Sequence, residues 1–180
     1  MKFAVHAALG LSLVLGSMAA FAAPATPAPA VAKAPNAAHI KAVQDLMAAM
    51  QAENLMRMVA SRSRYASEAQ RKGVFDKIDR TPPAVIHQRL AVPVAQLVSA
   101  DTALEMTRFY ATPYGQKVIK QKYNSGPQII MAGVETRQSP EEKKERKRAA
   151  YVNASKELAD ATPAIEREVF KLMQAINKGK

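Results

Sequence analysis

The sequence predicts an all-α fold, a single compact bundle of about six to seven helices that follows a signal peptide and a tail rich in alanine and proline. Two observations predict it. Ala, Met, Lys, Glu and Gln dominate the chain, and these residues favour helices. Apolar residues recur at three- and four-residue spacing, while alternating strand patterns are missing. The chain has no cysteine, so packing alone has to hold this fold together.

The first 22 residues have the pattern of a secretory signal peptide. Lys2 gives a positive start, an uncharged and mostly apolar run covers 3–16, and Ala20-Phe21-Ala22 places small residues where a signal peptidase cleaves. The apolar run is shorter than the roughly 20 residues of a membrane-spanning helix. We therefore expect cleavage after Ala22, a periplasmic or secreted product and no transmembrane segment.

Residues 23–35, which read APATPAPAVAKAP, form the expected tail. Proline fixes φ and removes a backbone donor, so this segment is predicted to be extended, solvated and disordered. The remaining 36–180 has the length of one ordinary domain and is predicted to hold all the helices.

The first half of this domain is predicted to contain four helices. Asn36 is the expected cap of a first helix over 37–50. A second helix is predicted over 53–77, with Leu55, Met58, Val59, Tyr65, Ala66 and Ala69 on its inner side. A third is predicted over 84–98, kinked or broken by Pro93, and a fourth over 100–111 after Ser99.

Three later helices are predicted to start at a hydroxyl residue followed by proline, because the hydroxyl can cap the helix and proline suits its first position. Thr112-Pro113 precedes a helix over 113–123, and Ser139-Pro140 precedes one that continues to residue 160. Thr162-Pro163 precedes the last helix. The predicted buried stripe of that last helix consists of Ile165, Val169, Leu172, Met173 and Ile176.

The segment TRFYATPYGQKVIK at 107–120 is predicted to be a structural joint between two helices. Gly115 lies on the apolar face of the second helix, where a missing side chain lets another helix approach closely, and Lys117 and Lys120 point away. A rival hypothesis is an anion site at Thr112 and the free N–H groups of the helix start. The residues assigned to the joint are Phe109, Tyr110, Thr112, Pro113, Gly115, Val118 and Ile119.

The same segment, FYATPYGQK at 109–117, resembles the signature of a bacterial family of secreted proteins catalogued as domain of unknown function twenty fifty-nine. That signature is Phe-Tyr, any residue, Ser or Thr, Pro, any residue, Gly, then Gln or Lys and a basic residue. The resemblance covers about 84–130 and implies a small helical domain in the bacterial envelope. The family carries no established catalytic residues, so the resemblance implies none here.

Catalytic and metal-binding patterns are scarce. After signal removal only His39 and His87 remain, and they lack the spacing of a zinc or nucleophile-activating pair. The acids alternate with lysine and arginine instead of forming an acid–base couple. We therefore predict a non-enzymatic domain without a cofactor. The alternative is a hydrolase of an envelope polymer whose site the sequence does not reveal.

Methionines offer a second alternative. Met47, Met50, Met56 and Met58 cluster within twelve residues, and thioethers suit Cu(I). The competing interpretation is that these residues fill the core, which is the usual role of methionine.

Charge is the remaining signal, because the formal net charge is +11, and +10 (11 − 1) without Lys2 of the signal peptide. The interpretation is a surface that binds a partner protein or an anionic envelope component, against a basic face that only aids solubility. Nucleic acid is not expected, since stacking aromatics are not interleaved with the basic residues. The predicted binding residues are Arg57, Arg64 and Arg71, spaced by seven, and the cluster Lys143, Lys144, Arg146, Lys147 and Arg148.

Overall fold

A computed structural model of the chain describes residues 34–124 and 140–179. These two ranges form eight α-helices and no strand, which confirms the predicted all-α bundle. The predicted signal peptide, all but the end of the predicted tail, and Ser139 lie outside the described residues. The helices are α1 (Ala37–Ala49), α2 (Ala52–Arg62), α3 (Glu68–Arg80), α4 (Pro83–Val94), α5 (Ala100–Tyr110), α6 (Pro113–Asn124), α7 (Pro140–Arg146) and α8 (Ala149–Asn177).

The bundle is organised around α1 and α8. Helix α1 packs against α4 and α5, and α8 runs along α2, α3, α4 and α5. Their apolar stripes meet in one core, whose fully buried side chains include Val43, Leu46, Met47, Leu55, Met56, Ile86, Leu90, Val94, Phe109, Ile119, Ile165 and Val169. None of the helices in the described ranges combines the length and the apolar character that crossing a membrane requires.

The helix starts predicted at Asn36, Ser99 and Thr112 are confirmed by their hydrogen bonds. The Asn36 side chain accepts a hydrogen bond from the His39 N–H at 2.9 Å. Ser99 Oγ accepts a hydrogen bond of 3.2 Å at the start of α5. Thr112 Oγ1 accepts from the Gly115 N–H at 3.0 Å at the start of α6. Each side chain satisfies a backbone donor that has no partner inside its helix.

The predicted second helix over 53–77 is wrong, because the chain breaks at 63–67 into α2 and α3. The backbone of Ser63 is extended, with ψ of 151°, so the helix stops there. Ser63 Oγ donates to a carbonyl of the last turn at 2.9 Å, and the Tyr65 hydroxyl donates to another at 2.7 Å. Ser67 then caps α3. Polar side chains thus replace the backbone bonds that would have continued the helix.

This break changes which residues face the core. Ala66 and Ala69, predicted to lie inside, are exposed. Val74 and Ile78 of α3 are buried instead, with 4% and 3% exposure. It also divides the predicted arginine stripe: Arg57 lies on α2 and Arg71 on α3, with Arg64 between the two helices.

The predicted third helix ends at Val94, not at residue 98, and Pro93 lies in its last turn. The chain then passes through turns to Ser99. Pro93 removes one backbone hydrogen bond from the last turn, and beyond Val94 the N–H groups of Gln96 and Leu97 donate three residues back instead of four.

The C-terminal helices also differ from the prediction. The expected helix from 140 to 160 is interrupted between α7 and α8, and no helix starts at Pro163, which lies inside α8. The Pro163 ring is exposed, and the Thr162 hydroxyl donates to the Leu158 carbonyl at 2.8 Å. Leu158 and Ile165 are buried on one continuous stripe. Core packing on both sides of the proline outweighs the one missing backbone bond.

Candidate anion-binding surface

The structure divides the predicted basic residues into paired and unpaired groups. Arg57 forms an ion pair with Asp79, and Arg71 pairs with Glu68 at 3.1 Å. The guanidinium groups of Arg57 and Arg71 also lie 5.8 and 5.6 Å from the centre of the Phe75 ring. The charges of Arg57 and Arg71 are therefore partly neutralised by contacts within this molecule.

The cluster at 143–148 divides in the same way. Arg146 pairs with Glu142 at 2.8 Å across one turn of α7. Lys143, Lys144 and Lys147 are exposed and make no ion pair among the described residues.

Arg148 belongs to a four-residue ion network that joins α5, α7 and the start of α8. Arg148 donates to Glu105 at 2.6 Å and to Glu145 at 3.0 Å. Arg108 donates to the same two carboxylates, at 2.8 Å and 2.6 Å. The Glu145 side chain is only 12% exposed, so its charge needs these partners. The charge of Arg148 is therefore paired within the protein and serves the contact between these helices.

The predicted joint at 109–119 brings together an aromatic cluster. The Phe109 ring lies 4.6 Å from the Tyr151 ring centre, 5.2 Å from that of Tyr110 and 5.7 Å from that of Tyr114. Burial raises the pKa of Tyr110 to about 12, with a further contribution from Tyr151. The joint therefore packs α6 and α8 around the end of α5.

The hydroxyl of Thr112 is occupied on both sides, since it donates to the Phe109 carbonyl at 2.7 Å and accepts from the Gly115 N–H. Gly115 is buried against the last turn of α5, and Ile119 is 1% exposed while Val118 packs partly buried against the core. Lys117 and Lys120 are exposed, as predicted. These contacts support the structural role of the joint over the rival anion site.

The two histidines have structural partners. His39 Nε2 lies 2.8 Å from the Val98 carbonyl, and His87 Nε2 lies 2.8 Å from Glu53 Oε2. In the part of the chain that the structure describes, no three His, Asp or Glu side chains stand close enough to hold a metal ion.

The methionines considered for copper lie in the core. Met47, Met50 and Met56 are at most 3% exposed, and Met58 packs partly buried beside them. Their positions agree with the core-filling interpretation.

Glu157 of α8 holds the start of α5. Its carboxylate accepts from Ser99 N at 2.5 Å, from Ser99 Oγ at 3.0 Å and from Thr102 Oγ1 at 2.6 Å. Burial alone would raise the pKa of this carboxyl, but the hydrogen bonds from Thr102 and Ser99, with the nearby His39, outweigh it and hold the pKa below 4.5. The negative charge also suits the N-terminus of α5.

We expect Glu157→Gln to lower the free energy of unfolding at pH 7 by about 1 kcal/mol, because a charged acceptor is lost. Because folding lowers the pKa of this carboxyl, its ionised form stabilises the fold at pH values above the ordinary carboxyl pKa of 4.5. This contribution disappears as the pH falls through the lower pKa of the folded state. The difference between the two proteins should therefore shrink in acid. Urea unfolding at pH 7 and at a series of lower pH values measures it.

The control for this prediction is Asp160→Asn on the same helix. Among the described residues Asp160 pairs only with the exposed Lys156, at 2.8 Å, so the change should stay below about 0.5 kcal/mol. Equal stability of Glu157→Gln and the parent protein at pH 7 would contradict the proposed hold on α5.

A different surface combines unpaired cations with an exposed apolar side chain. It is a groove between α8, from Pro163 to Asn177, and the segment 59–74 that contains the break between α2 and α3. Phe170 lies along it with 42% exposure, and we call it the Phe170 groove. It consists of two adjoining cavities of about 310 and 480 Å³ that share Ser63 and Phe170.

Three arginines line the Phe170 groove. Arg64 lines the first cavity, and Arg62 and Arg167 line the second. All three are exposed, and none forms an ion pair among the described residues. Glu166 also lines the groove, while Lys171 is paired with Glu168 at 2.7 Å. The balance of unpaired charge in the groove is therefore positive.

Sequence analysis identified Arg64 but missed Arg62, Arg167 and Phe170. One signal was present. Phe170 follows Val169 of the buried stripe, so it lies off that stripe on the same helix. A large aromatic residue beside the buried face of an amphipathic helix adds apolar surface outside the core. The arginines gave no signal, because the break in the chain brings them to α8.

Comparisons of the chain with protein-family models, with curated proteins and with solved structures find no match.

Proposed function

We propose that this chain is a non-enzymatic, exported helical domain that binds an anionic component of the bacterial envelope at the Phe170 groove. The observation that carries the proposal is the set of three exposed, unpaired arginines in one groove, Arg62, Arg64 and Arg167. Arginine binds carboxylate and phosphate oxygens through two parallel hydrogen bonds. An arginine without an internal partner is free to do so with a ligand.

Two further points support the proposal. The signal-peptide pattern and the resemblance at 109–117 both favour an envelope location. His39, His87 and Glu157 each have a hydrogen-bond partner within the protein. This use of the groups favours a binding role over hydrolysis.

The proposal predicts salt-dependent binding of anions at this groove. We expect the protein to bind heparin, and vesicles of phosphatidylglycerol but not of phosphatidylcholine, with an affinity that falls steeply as salt is added. Replacing Arg62, Arg64 and Arg167 together by Gln should weaken binding about a hundredfold, since each cation near an anionic surface contributes about 1 kcal/mol. Heparin chromatography and vesicle sedimentation at several salt concentrations measure it.

The matched control is Lys143, Lys144 and Lys147 changed together to Gln, which removes the same formal charge from another part of the surface. If both triple variants lose affinity equally, net charge drives binding and the groove is not the site. Binding that does not respond to salt, or no binding at low ionic strength, would leave only the solubility role.

A further inference from the structure

The lining of the Phe170 groove indicates a class of ligand, given the proposed function of that groove. The Phe170 groove is lined by apolar groups on its inner side. Val74 and Met173 line it at 4% and 2% exposure, so the apolar surface that water reaches is that of Phe170, with Val59 and Pro163 beside it. Apolar surface that water reaches gains free energy when a ligand covers it. A purely polar anion such as inorganic phosphate would leave this surface in water.

Charge and apolar surface occur side by side along the groove. Arg64 borders the cavity that contains Val74 and Met173, and Arg62 and Arg167 border the cavity that contains Val59 and Pro163. The complementary ligand has an apolar body and an anionic end. Glu166 stands in the same wall, so a singly charged head is opposed less than a doubly charged phosphate.

The small exposed apolar content of the groove favours a small amphiphile over a protein segment. Cavities of about 310 and 480 Å³ lie within the range of small-ligand sites. A stable protein interface covers roughly 800 Å² on each partner, with several apolar anchors near its centre. Phe170 is the one large exposed hydrophobic side chain in this groove, since Val85, Val92, Leu104 and Val152 are not among the residues that line it.

We propose that the Phe170 groove binds a single-chain anionic amphiphile of the fatty-acid class, with the chain along Phe170 and the carboxylate at the arginines.

The test is a series of straight-chain carboxylates, octanoate to tetradecanoate, titrated calorimetrically into the full-length protein below their micelle concentrations. If the open groove covers about half of each methylene, each two-carbon step should tighten Kd about fourfold. Undecyl maltoside, with the same alkyl chain as dodecanoate and a neutral head, should bind about tenfold more weakly.

Two variants separate the parts of the ligand. Phe170→Ser should abolish the dependence of Kd on chain length, and Arg64→Gln should weaken all carboxylates by a similar factor. Val92→Ser is the control, because Val92 is 52% exposed on α4 and is not among the residues that line the groove. Thermal melts check that each variant folds.

The outcomes distinguish this inference from the proposed function. A Kd that is independent of chain length overturns the amphiphile, and if heparin binding still depends on Arg62, Arg64 and Arg167, the proposed function stands. Binding of an acidic amphipathic peptide without binding of dodecanoate also overturns it, in favour of a protein partner. If neither heparin nor vesicles bind through the arginines, the proposed function itself is wrong.

Discussion

Gly115→Ala is expected to destabilise the protein by about 3 kcal/mol, at the top of the usual range for overpacking. A Cβ atom at Gly115 would lie 2.1 Å from the Phe109 carbonyl oxygen and 2.7 Å from the Cα of Tyr110. These are backbone atoms, which cannot rotate out of the way. The Phe109 carbonyl also accepts hydrogen bonds from the Thr112 N–H and hydroxyl, at 3.0 and 2.7 Å. Moving it would disturb the cap of α6 as well.

The measurement is a thermal melt, in which we expect the midpoint to fall by roughly 6–12 °C for a chain of this size. Gly73→Ala is the matched control, because Gly73 lies inside α3 and nothing stands within 4 Å of its added Cβ. There the better helix propensity of alanine should stabilise the protein by about 0.5–1 kcal/mol. Equal melting of the two variants would show that α5 and α6 are not in close contact at Gly115.

Phe109→Ala is expected to cost about 3–5 kcal/mol, the range for removing a large aromatic side chain from a core. Phe109 is 1% exposed and is surrounded by the rings of Tyr110, Tyr114 and Tyr151. Its removal leaves a cavity where three helices meet, and these large rings cannot collapse into it without losing their own contacts. Such a loss is a large part of the total stability of an ordinary domain, about 5–15 kcal/mol.

Urea unfolding of Phe109→Ala measures this cost, with Phe170→Ala as the control. Phe170 lies on α8 at 42% exposure, so the same truncation there should change the free energy of unfolding by less than about 1 kcal/mol. A cost at Phe109 no larger than at Phe170 would contradict the central place of the joint in the core.

The fold class and most helix starts could be predicted from the local sequence. At Asn36, Ser99 and Thr112 the capping side chain bonds to a backbone N–H only three residues further on. Such a bond needs no distant partner, so the local sequence is enough to predict it. The apolar spacing likewise predicts which faces are buried, because a helix repeats every 3.6 residues wherever it lies in the fold.

The tertiary structure alone decided where helices break and which charges are free. Pro163 follows a threonine, as Pro113 does, yet α8 continues through it. Leu158 before this proline and Ile165 after it are buried in the same core. Arg57 and Arg64 belong to the same seven-residue repeat of arginines. Arg57 pairs with Asp79 of another helix, whereas Arg64 forms no ion pair among the described residues. The Phe170 groove exists only where the broken α2–α3 segment meets α8. These outcomes depend on contacts between residues distant in sequence, whose energies exceed the local preferences that a pattern reports.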